Sequence, residues 1–356
     1  MSGTSLDGID AALIETDGEA FVRPIAFRGE PYSDAARAQL AEATRMALTF
    51  ERPRASPPVV AAGELITRAH VFAVHKLLAD AGVAAADVDV IGFHGQTIAH
   101  RPDRRWTWQI GDGAAVARAT GITTVSDFRS ADVAAGGQGA PLLPVYHAAL
   151  AAGLEGPVAV LNLGGVGNIT FIPGGAEELV AFDTGPANGL IDSWVEAETG
   201  ARYDAGGALA ASGRVDETVL TAMLDHPFFD APPPKSLDRN DFTIQPARGL
   251  SAADGAATLT AFTAATVAEA MRHLPARPVR LLVAGGGRHN PTMLEMIAER
   301  TGLVVEPTDA LGWNGDALEA EGFAYMAVRT LRGLPISFPG TTGVPVAMAG
   351  GVVDRV

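Results

Sequence analysis

The chain has 356 residues, 47% hydrophobic and 19% charged, with 41 glycines and 23 prolines spread along it, which describes two folded domains or one large one and excludes a disordered or fibrous chain. Against 26 Lys+Arg stand 41 Asp+Glu, a formal charge of −15 that repels phosphate backbones and anionic membranes; no nucleic-acid or membrane partner is expected, and an anionic ligand needs local holders such as backbone N–H nests, helix N-termini, a cation or placed arginines. The absence of cysteine excludes disulfides, thiolate metal sites, iron–sulfur clusters and a Cys nucleophile, and fits a reducing compartment.

Met1 to Asp10 carries two aspartates and no basic residue, so it does not read as a signal peptide, and a cytoplasmic location is expected. The spacing then predicts strands over Ile9–Glu15 and Phe21–Phe27 around an Asp17-Gly18 turn, and helices over Ser33–Leu48 and Pro58–Leu78. Short strands follow at Val88–Phe93, Trp106–Ile110 and Ile122–Val125, with a helix from Asp112. After the glycine-rich Ala134–Gly139 segment come strands at Val158–Leu163, Ile169–Ile172 and Leu179–Phe182, then a helix near Asn188–Glu198. A long helix is expected over Asp254–Leu274 with Asp254 as cap, then a buried strand at Leu281–Ala284, a second cap at Asn290-Pro291 and a last helix over Asp316–Leu331. Both halves thus open on a glycine turn that leads into an outgoing strand, which implies two similar halves facing a cleft.

Several chemistries are missing. There is no G-x-x-x-x-G-K-[ST], since the two lysines, Lys76 and Lys235, follow His75 and Pro234, and there is no H-E-x-x-H or G-x-S-x-G; P-loop ATPases, zincins and α/β-hydrolases are set aside. What is present is three glycine turns, each at the end of a strand or leading into one: Gly3-Thr4-Ser5-Leu6-Asp7-Gly8, Gly164-Gly165-Val166-Gly167-Asn168, and Gly285-Gly286-Gly287 with Asn290 after it. Singly, each has the bland reading of an ordinary turn. Together they suit a nucleoside triphosphate, because glycines let the backbone approach phosphate oxygens and the hydroxyls of Thr4 and Ser5 add donors.

The runs Met1–Asp10, Gly92-Phe93-His94-Gly95-Gln96-Thr97, Ser126-Asp127-Phe128-Arg129, Gly136–Pro144, Asn162–Thr170 and Phe182-Asp183-Thr184-Gly185-Pro186-Ala187-Asn188 together resemble the anhydro-N-acetylmuramic acid kinase family, over nearly the whole chain. The resemblance implies an α/β fold of two duplicated actin-like (ribonuclease H-like) domains flanking an ATP cleft, here residues 1–131 plus 336–356 and residues 132–335. It implies conversion of 1,6-anhydro-N-acetylmuramic acid to N-acetylmuramic acid 6-phosphate with ATP and Mg2+, in cell-wall recycling, and a possible homodimer. Asp183 falls on the family's general base; read without the family, it serves equally as a turn-fixing Asp before Thr184-Gly185-Pro186.

Further roles follow from the same resemblance. Gly3, Thr4, Ser5, Leu6, Asp7, Gly8, Ile9 and Asp10, with Gly164, Gly165, Gly285, Gly286, Gly287 and Asn290, hold the nucleotide. His94, Gln96, Thr97, Arg129 and Glu319 lie near the sugar, Arg129 suiting a lactyl carboxylate by its planar fork. Glu321 competes with Glu319 for that role, and a solvated helix face is the bland alternative for both. Asp7 or Asp10 would orient Mg2+.

Two departures stand out. Family members normally carry a short apolar strand before the Met-Ser-Gly-Thr-Ser turn, whereas here that Met is residue 1; the first hairpin is expected to lack its incoming mid-sheet strand, through a late start or a truncation, which would weaken phosphate binding. In Pro232–Phe242 the family's Gly after Pro-Lys-Ser is replaced, leaving the role of Lys235 and Arg239 open. The rival readings are a kinase for another anhydro sugar such as levoglucosan, or a nucleotide-switched binding protein of the same fold that is not an enzyme.

Overall fold

The computed structural model describes residues 1–3, 5–173, 179–237 and 241–356. Its contacts divide the chain into two compact units, Met1–Ala152 with Asp316–Val356, and Gly153–Gly315.

The first unit begins with a hairpin, β1 (Gly8–Thr16) and β2 (Val22–Pro31). Its turn forms because the Asp17 carboxylate accepts from the Glu19 and Phe21 N–H groups at 2.8 and 3.0 Å, as turn aspartates do. Helices α1 (Asp34–Ala47) and α2 (Pro57–Ala81) follow. Ser33 caps α1 through the Ala36 N–H, and α2 starts on a proline pair and stops at Gly82 in the left-handed region.

Then come β3 (Ile91–Gly92), the hairpin β4 (Gln96–Arg101) and β5 (Trp106–Ile110), α3 (Gly113–Thr120), β6 (Thr124–Ser126), α4 (Ser130–Ala135) and α5 (Pro144–Ala151). The sequence pattern did not single out β4, a short run directly after a turn motif. From the end of the chain, α12 (Leu318–Leu331), α13 (Pro339–Thr342) and β12 (Val352–Asp354) complete this unit. Its described strands form three sheets: β1-β2, β12-β6-β3 and β4-β5. Leu40, Ile66, Phe93, Ile98 and Val116 make the core beneath them.

The second unit contains β7 (Val158–Leu163), β8 (Val166–Ile172), β9 (Val180–Pro186), α6 (Asn188–Thr199), α7 (Ala208–Ser212), α8 (Glu217–Leu224), α9 (Pro227–Asp230), α10 (Ala252–Ala270), β10 (Arg280–Ala284), α11 (Pro291–Thr301) and β11 (Val304–Pro307). One mixed sheet orders them β11-β10-β7-β8-β9, with β7 parallel to β10 and antiparallel to β8. Counted from β7, this is strand order 3-2-1-4-5 with the second strand reversed. Leu161, Phe171, Phe182, Trp194, Phe262 and Val283 fill the core. Ser251, not Asp254, caps α10: its Oγ accepts from the Asp254 N–H at 3.1 Å, and the Asp254 carboxylate accepts instead from Arg214 N–H at 2.7 Å.

The divisions fall after residues 152 and 315, rather than at 131/132 and 335/336. The reason is packing. Helix α12 lies on β1, β3 and α5, and the Tyr146 hydroxyl donates to Glu321 at 2.6 Å, which ties α5 and α12 into the first unit.

Candidate active site

In the first unit, Ser2, Gly3 and residues 5–8 lie in a turn region pinned from below. The buried Ser2 Oγ donates to Gln96 Oε1 and lies 2.8 Å from the Tyr32 hydroxyl, while Gln96 Nε2 donates to Gly3 O at 3.2 Å and Thr97 O at 3.1 Å. Gln96 is therefore a brace beneath the turn. Asp7 Oδ1 accepts from Ser5 Oγ at 2.8 Å and from Gly8 N–H at 2.9 Å. A Cβ at Gly8 would sit 2.4 Å from Glu30 O, so only glycine lets the turn rejoin β2 here. Leu6 takes a left-handed φ of 57°. Ile9 points into the core and offers a ligand its backbone alone. Thr4 lies outside the described residues.

Asp10, half-buried on β1, has its carboxyl raised to about 6 by burial, against the Met1 ammonium that favours its charge. The Met1 amine donates to Asp10 O at 2.7 Å, and burial lowers it to about 6.

His94 and Arg129 form one device. His94 Nδ1 lies 3.0 Å from Gly95 O, and Arg129 Nε donates to His94 Nε2 at 3.2 Å, which fixes a neutral imidazole protonated at Nδ1. Burial first, and the adjacent guanidinium second, hold His94 well below its usual range. Arg129 Nη1 donates to Gly139 O at 2.7 Å, and among the described residues Nη2 makes no hydrogen bond. Glu319, in the first turn of α12, keeps an open side chain. Even so, the surrounding atoms push its carboxyl up, opposed by Arg129 and the Met1 ammonium. Glu321 is instead buried and accepts from the Tyr146 hydroxyl, whereas Glu319 is exposed.

In the second unit the two remaining glycine turns pack together. Gly164 O accepts from Asn188 N–H at 2.9 Å, and Gly165 O accepts from Ala187 and Gly189 N–H at 3.2 Å each, so the β7–β8 turn sits on the start of α6. A Cβ at Gly165 would meet nothing within 4 Å, which leaves the outer side of the turn open. Gly285 adopts φ +73° directly over it, where a Cβ would lie 2.5 Å from Asn162 Oδ1 and 2.7 Å from Leu163 O. Gly287 approaches the Leu163 side chain and Gly286 the Asn188 amide. Asn290 spends its carboxamide oxygen as the cap of α11, accepting from Met293 N–H at 3.0 Å.

Asp183 lies on β9 beside the bulge at Gly167/Asn168. Leu237 N–H donates to its Oδ2 at 2.8 Å. Burial raises the carboxyl to about 7, and the Leu237 bond pulls the other way. Such a carboxylate, near neutrality and partly desolvated, suits proton abstraction. A 220 Å3 pocket shares Gly165 with the turn and Leu237 with the Asp183 bond.

A profile of the anhydro-N-acetylmuramic acid kinase family matches residues 1–354. The anhydro-N-acetylmuramic acid kinase of Rhizorhabdus wittichii is 72% identical over 355 residues, spanning 100% of this chain and 97% of that protein. That of Zymomonas mobilis is 54% identical, over 100% of this chain and 98% of that protein. The chain belongs to the anhydro-N-acetylmuramic acid kinase family. Among solved structures, the Acidaminococcus fermentans (R)-2-hydroxyglutaryl-CoA dehydratase component A overlays at a TM-score of 0.45 and 12% identity, over 91% of this chain and 99% of that one.

Three contacts around the candidate site carried no sequence signal. The donor to Asp183 is a backbone amide in the altered segment, where the side chain of Leu237 says nothing about it. Lys235, whose role was open, donates to Phe228 O at 2.9 Å and Phe229 O at 3.2 Å and lies over the Phe228 ring; it closes the segment that carries Leu237, and its own O accepts from Asp183 N–H at 3.0 Å. Arg239 lies outside the described residues. Buried Arg288 braces the third turn through Gly285 O at 3.1 Å and Asp309 at 2.8 Å. Among the described residues no helix is long and apolar enough to cross a membrane.

Proposed function

We propose that this kinase converts 1,6-anhydro-N-acetylmuramic acid, water and ATP to N-acetylmuramic acid 6-phosphate and ADP. The observation that carries the reading is Asp183: one carboxylate, raised to about 7 by burial and oriented by the Leu237 N–H. In this mechanism Asp183 takes a proton from a water whose oxygen bonds to the anomeric carbon. The bond from that carbon to O6 breaks, and O6 takes the γ-phosphoryl group from ATP, releasing ADP.

Residues of each unit suit further parts in this reading. The turn of residues 2–8 and the packed turns at Gly164–Gly165 and Gly285–Gly287 offer close backbone approach to phosphates and the nucleoside. Arg129, its Nε and Nη1 already committed, turns Nη2 toward a lactyl carboxylate, and Glu319 orients the sugar or the water. Asp7 and Asp10 fit Mg2+: burial and the neighbouring Asp7 charge raise Asp10, a cost that a cation relieves. Mg2+ keeps several waters and leans on phosphates, so one or two carboxylates suffice to orient it. When bound, Mg2+ neutralises charge on the transferring phosphoryl group.

The test is mass analysis of the product from Mg-ATP with 1,6-anhydro-N-acetylmuramic acid, and in parallel with levoglucosan. The expected product has gained one phosphoryl group and one water. Arg129→Ala should depress turnover of the acid-bearing sugar about tenfold or more beyond any effect on a neutral one, since a charge-assisted bond contributes about 1.5–3 kcal/mol. Phosphorylation of levoglucosan alone would keep the kinase and overturn the substrate.

A further inference from the structure

Asp132, on α4, is a buried carboxylate that the mechanism leaves unused. It is 2% exposed, and a charge so placed is costly unless its oxygens are met by donors. Here both are. Oδ1 accepts from Gly139 N–H and Oδ2 from the Thr342 hydroxyl, at 2.6 Å each. Gln138 N–H donates to Thr342 O at 2.6 Å, so one carboxylate ties together the end of α4, the loop over residues 136–139 and α13.

The loop is built to close on that carboxylate. Helix α4 ends at Gly136, with φ +102°, and the Gly136 and Gly137 N–H groups donate to Val133 O and Asp132 O at 3.1 and 2.9 Å, a left-handed helix stop. Beyond the stop the fit is tight: a Cβ at Gly137 would lie 2.2 Å from Asp132 Oδ1, and one at Gly139, with φ +69°, 2.5 Å from a methyl of Val133. Gly139 then turns its carbonyl to Arg129, whose Nη1 donates to it at 2.7 Å. Arg129 Nε is held by His94, and the guanidinium lies 5.9 Å from the centre of the Phe323 ring. Glu319 and Asp132 both favour its charge.

We propose that Asp132 is a positioning residue for substrate recognition: by holding Gly139, its carboxylate keeps Gly139 O against Arg129 Nη1 and so leaves Nη2 set to meet the carboxylate of the sugar. The inference rests on the reading of Arg129 given above. An arginine held on two of its edges before the ligand arrives has less rotamer freedom to lose on binding. Without the Asp132 carboxylate, the buried Gly139 N–H loses its partner, the loop is free to turn its carbonyl away, and Arg129 keeps only His94. Buried as it is, Asp132 acts through Arg129, and its effect falls on recognition of the acid.

The test compares, by calorimetry on the full chain, the binding of 1,6-anhydro-N-acetylmuramic acid with that of its neutral carboxamide. Asp132→Ala should weaken the acid about tenfold relative to the carboxamide, the scale of one bond to a charged group, and leave nucleotide affinity unchanged. Asp132→Asn, which keeps an acceptor for Gly139 N–H, should restore most of the loss. Thr342→Val removes one hydroxyl, leaves Oδ2 without its donor and should weaken the acid about threefold. In the Arg129→Ala background neither Asp132→Ala nor Thr342→Val should change the ratio further, because residues that act through one another are not additive. If the thermal midpoint shows that Asp132→Ala does not fold, Thr342→Val and its cycle with Arg129→Ala decide. Equal weakening of both sugars, or an additive cycle, would make Asp132 a general support and overturn the proposal. Failure of Arg129→Ala itself to separate the two sugars would remove the reading of Arg129 and the proposal with it. Separation by Arg129→Ala but not by the Asp132 and Thr342 variants would overturn the proposal alone.

Discussion

The sheets of the two units teach more side by side than apart. In the second unit the middle strand β7 is buried along almost its whole length and bonds to neighbours on both edges. In the first unit an apolar groove of about 490 Å3 lies beside β1, and Leu40, Ile66 and Ile98 of α1, α2 and β4 belong to the core. The glycine turns nonetheless form in both units. The β7–β8 turn is held by its sheet and by α6, whereas the turn of residues 2–8 is held by side chains, chiefly Ser2 and Gln96. One is braced by the sheet, the other by local hydrogen bonds, so the two should respond differently to mutation.

The largest effect belongs to chemistry in the second unit. Asp183→Asn keeps an acceptor for Leu237 N–H and removes the base, so kcat should fall about 10²–10⁴-fold while nucleotide affinity is unchanged. In the wild type, log kcat/KM should fall one decade per pH unit below about 7, and this limb should vanish in the variant. The stability sign is opposite to that of a salt-bridged acid. A carboxyl raised from 3.8 to about 7 in the fold binds its proton more tightly there, so stability declines as pH climbs from about 4 to about 7. The asparagine variant should lack that decline in a denaturant series run across pH. Unchanged turnover would remove Asp183 from the mechanism.

Next in size is the middle strand itself. Leu161→Ala on β7 empties a fully buried site with sheet on both edges and should cost about 3–5 kcal/mol in urea unfolding. A loss under about 1 kcal/mol would mean that β7 is not the keystone that the comparison makes it. A smaller loss is expected from Tyr146→Phe, which leaves buried Glu321 without its hydrogen bond and should cost about 1–3 kcal/mol. Because Glu321 is raised by burial and held down by that bond, the cost should shrink at acid pH, where the carboxyl is neutral.

Much of this was legible in the sequence because it was local. The Asp17-Gly18 hairpin, β7, β8 and β9 with their glycine turn, the Asn290 cap and the motif carrying Asp183 each declare themselves within about ten residues, by period or turn chemistry. Other features depend on residues far apart in the chain. Nothing in Leu318–Leu331 says which unit its apolar face will cover, and Glu319 and Glu321 look alike until Tyr146 arrives from more than 170 positions away. The amide of Leu237 has no side-chain signature. Ser251 and Asp254 are both good caps by type, and three-dimensional partners decided between them.

The smallest expected effect is the sharpest test of the difference between the sheets. Ala324 lines the groove on α12, and a valine there adds two methyl groups where the other unit has a packed strand. Overpacking a filled core costs about 1–3 kcal/mol, but here the methyls enter open space, and only the helix-propensity penalty of about 0.5 kcal/mol should register. Ala324→Val should therefore shift the urea midpoint barely at all in this chain. A loss of about 1–3 kcal/mol would mean that the space beside Ala324 is closed to the two methyls.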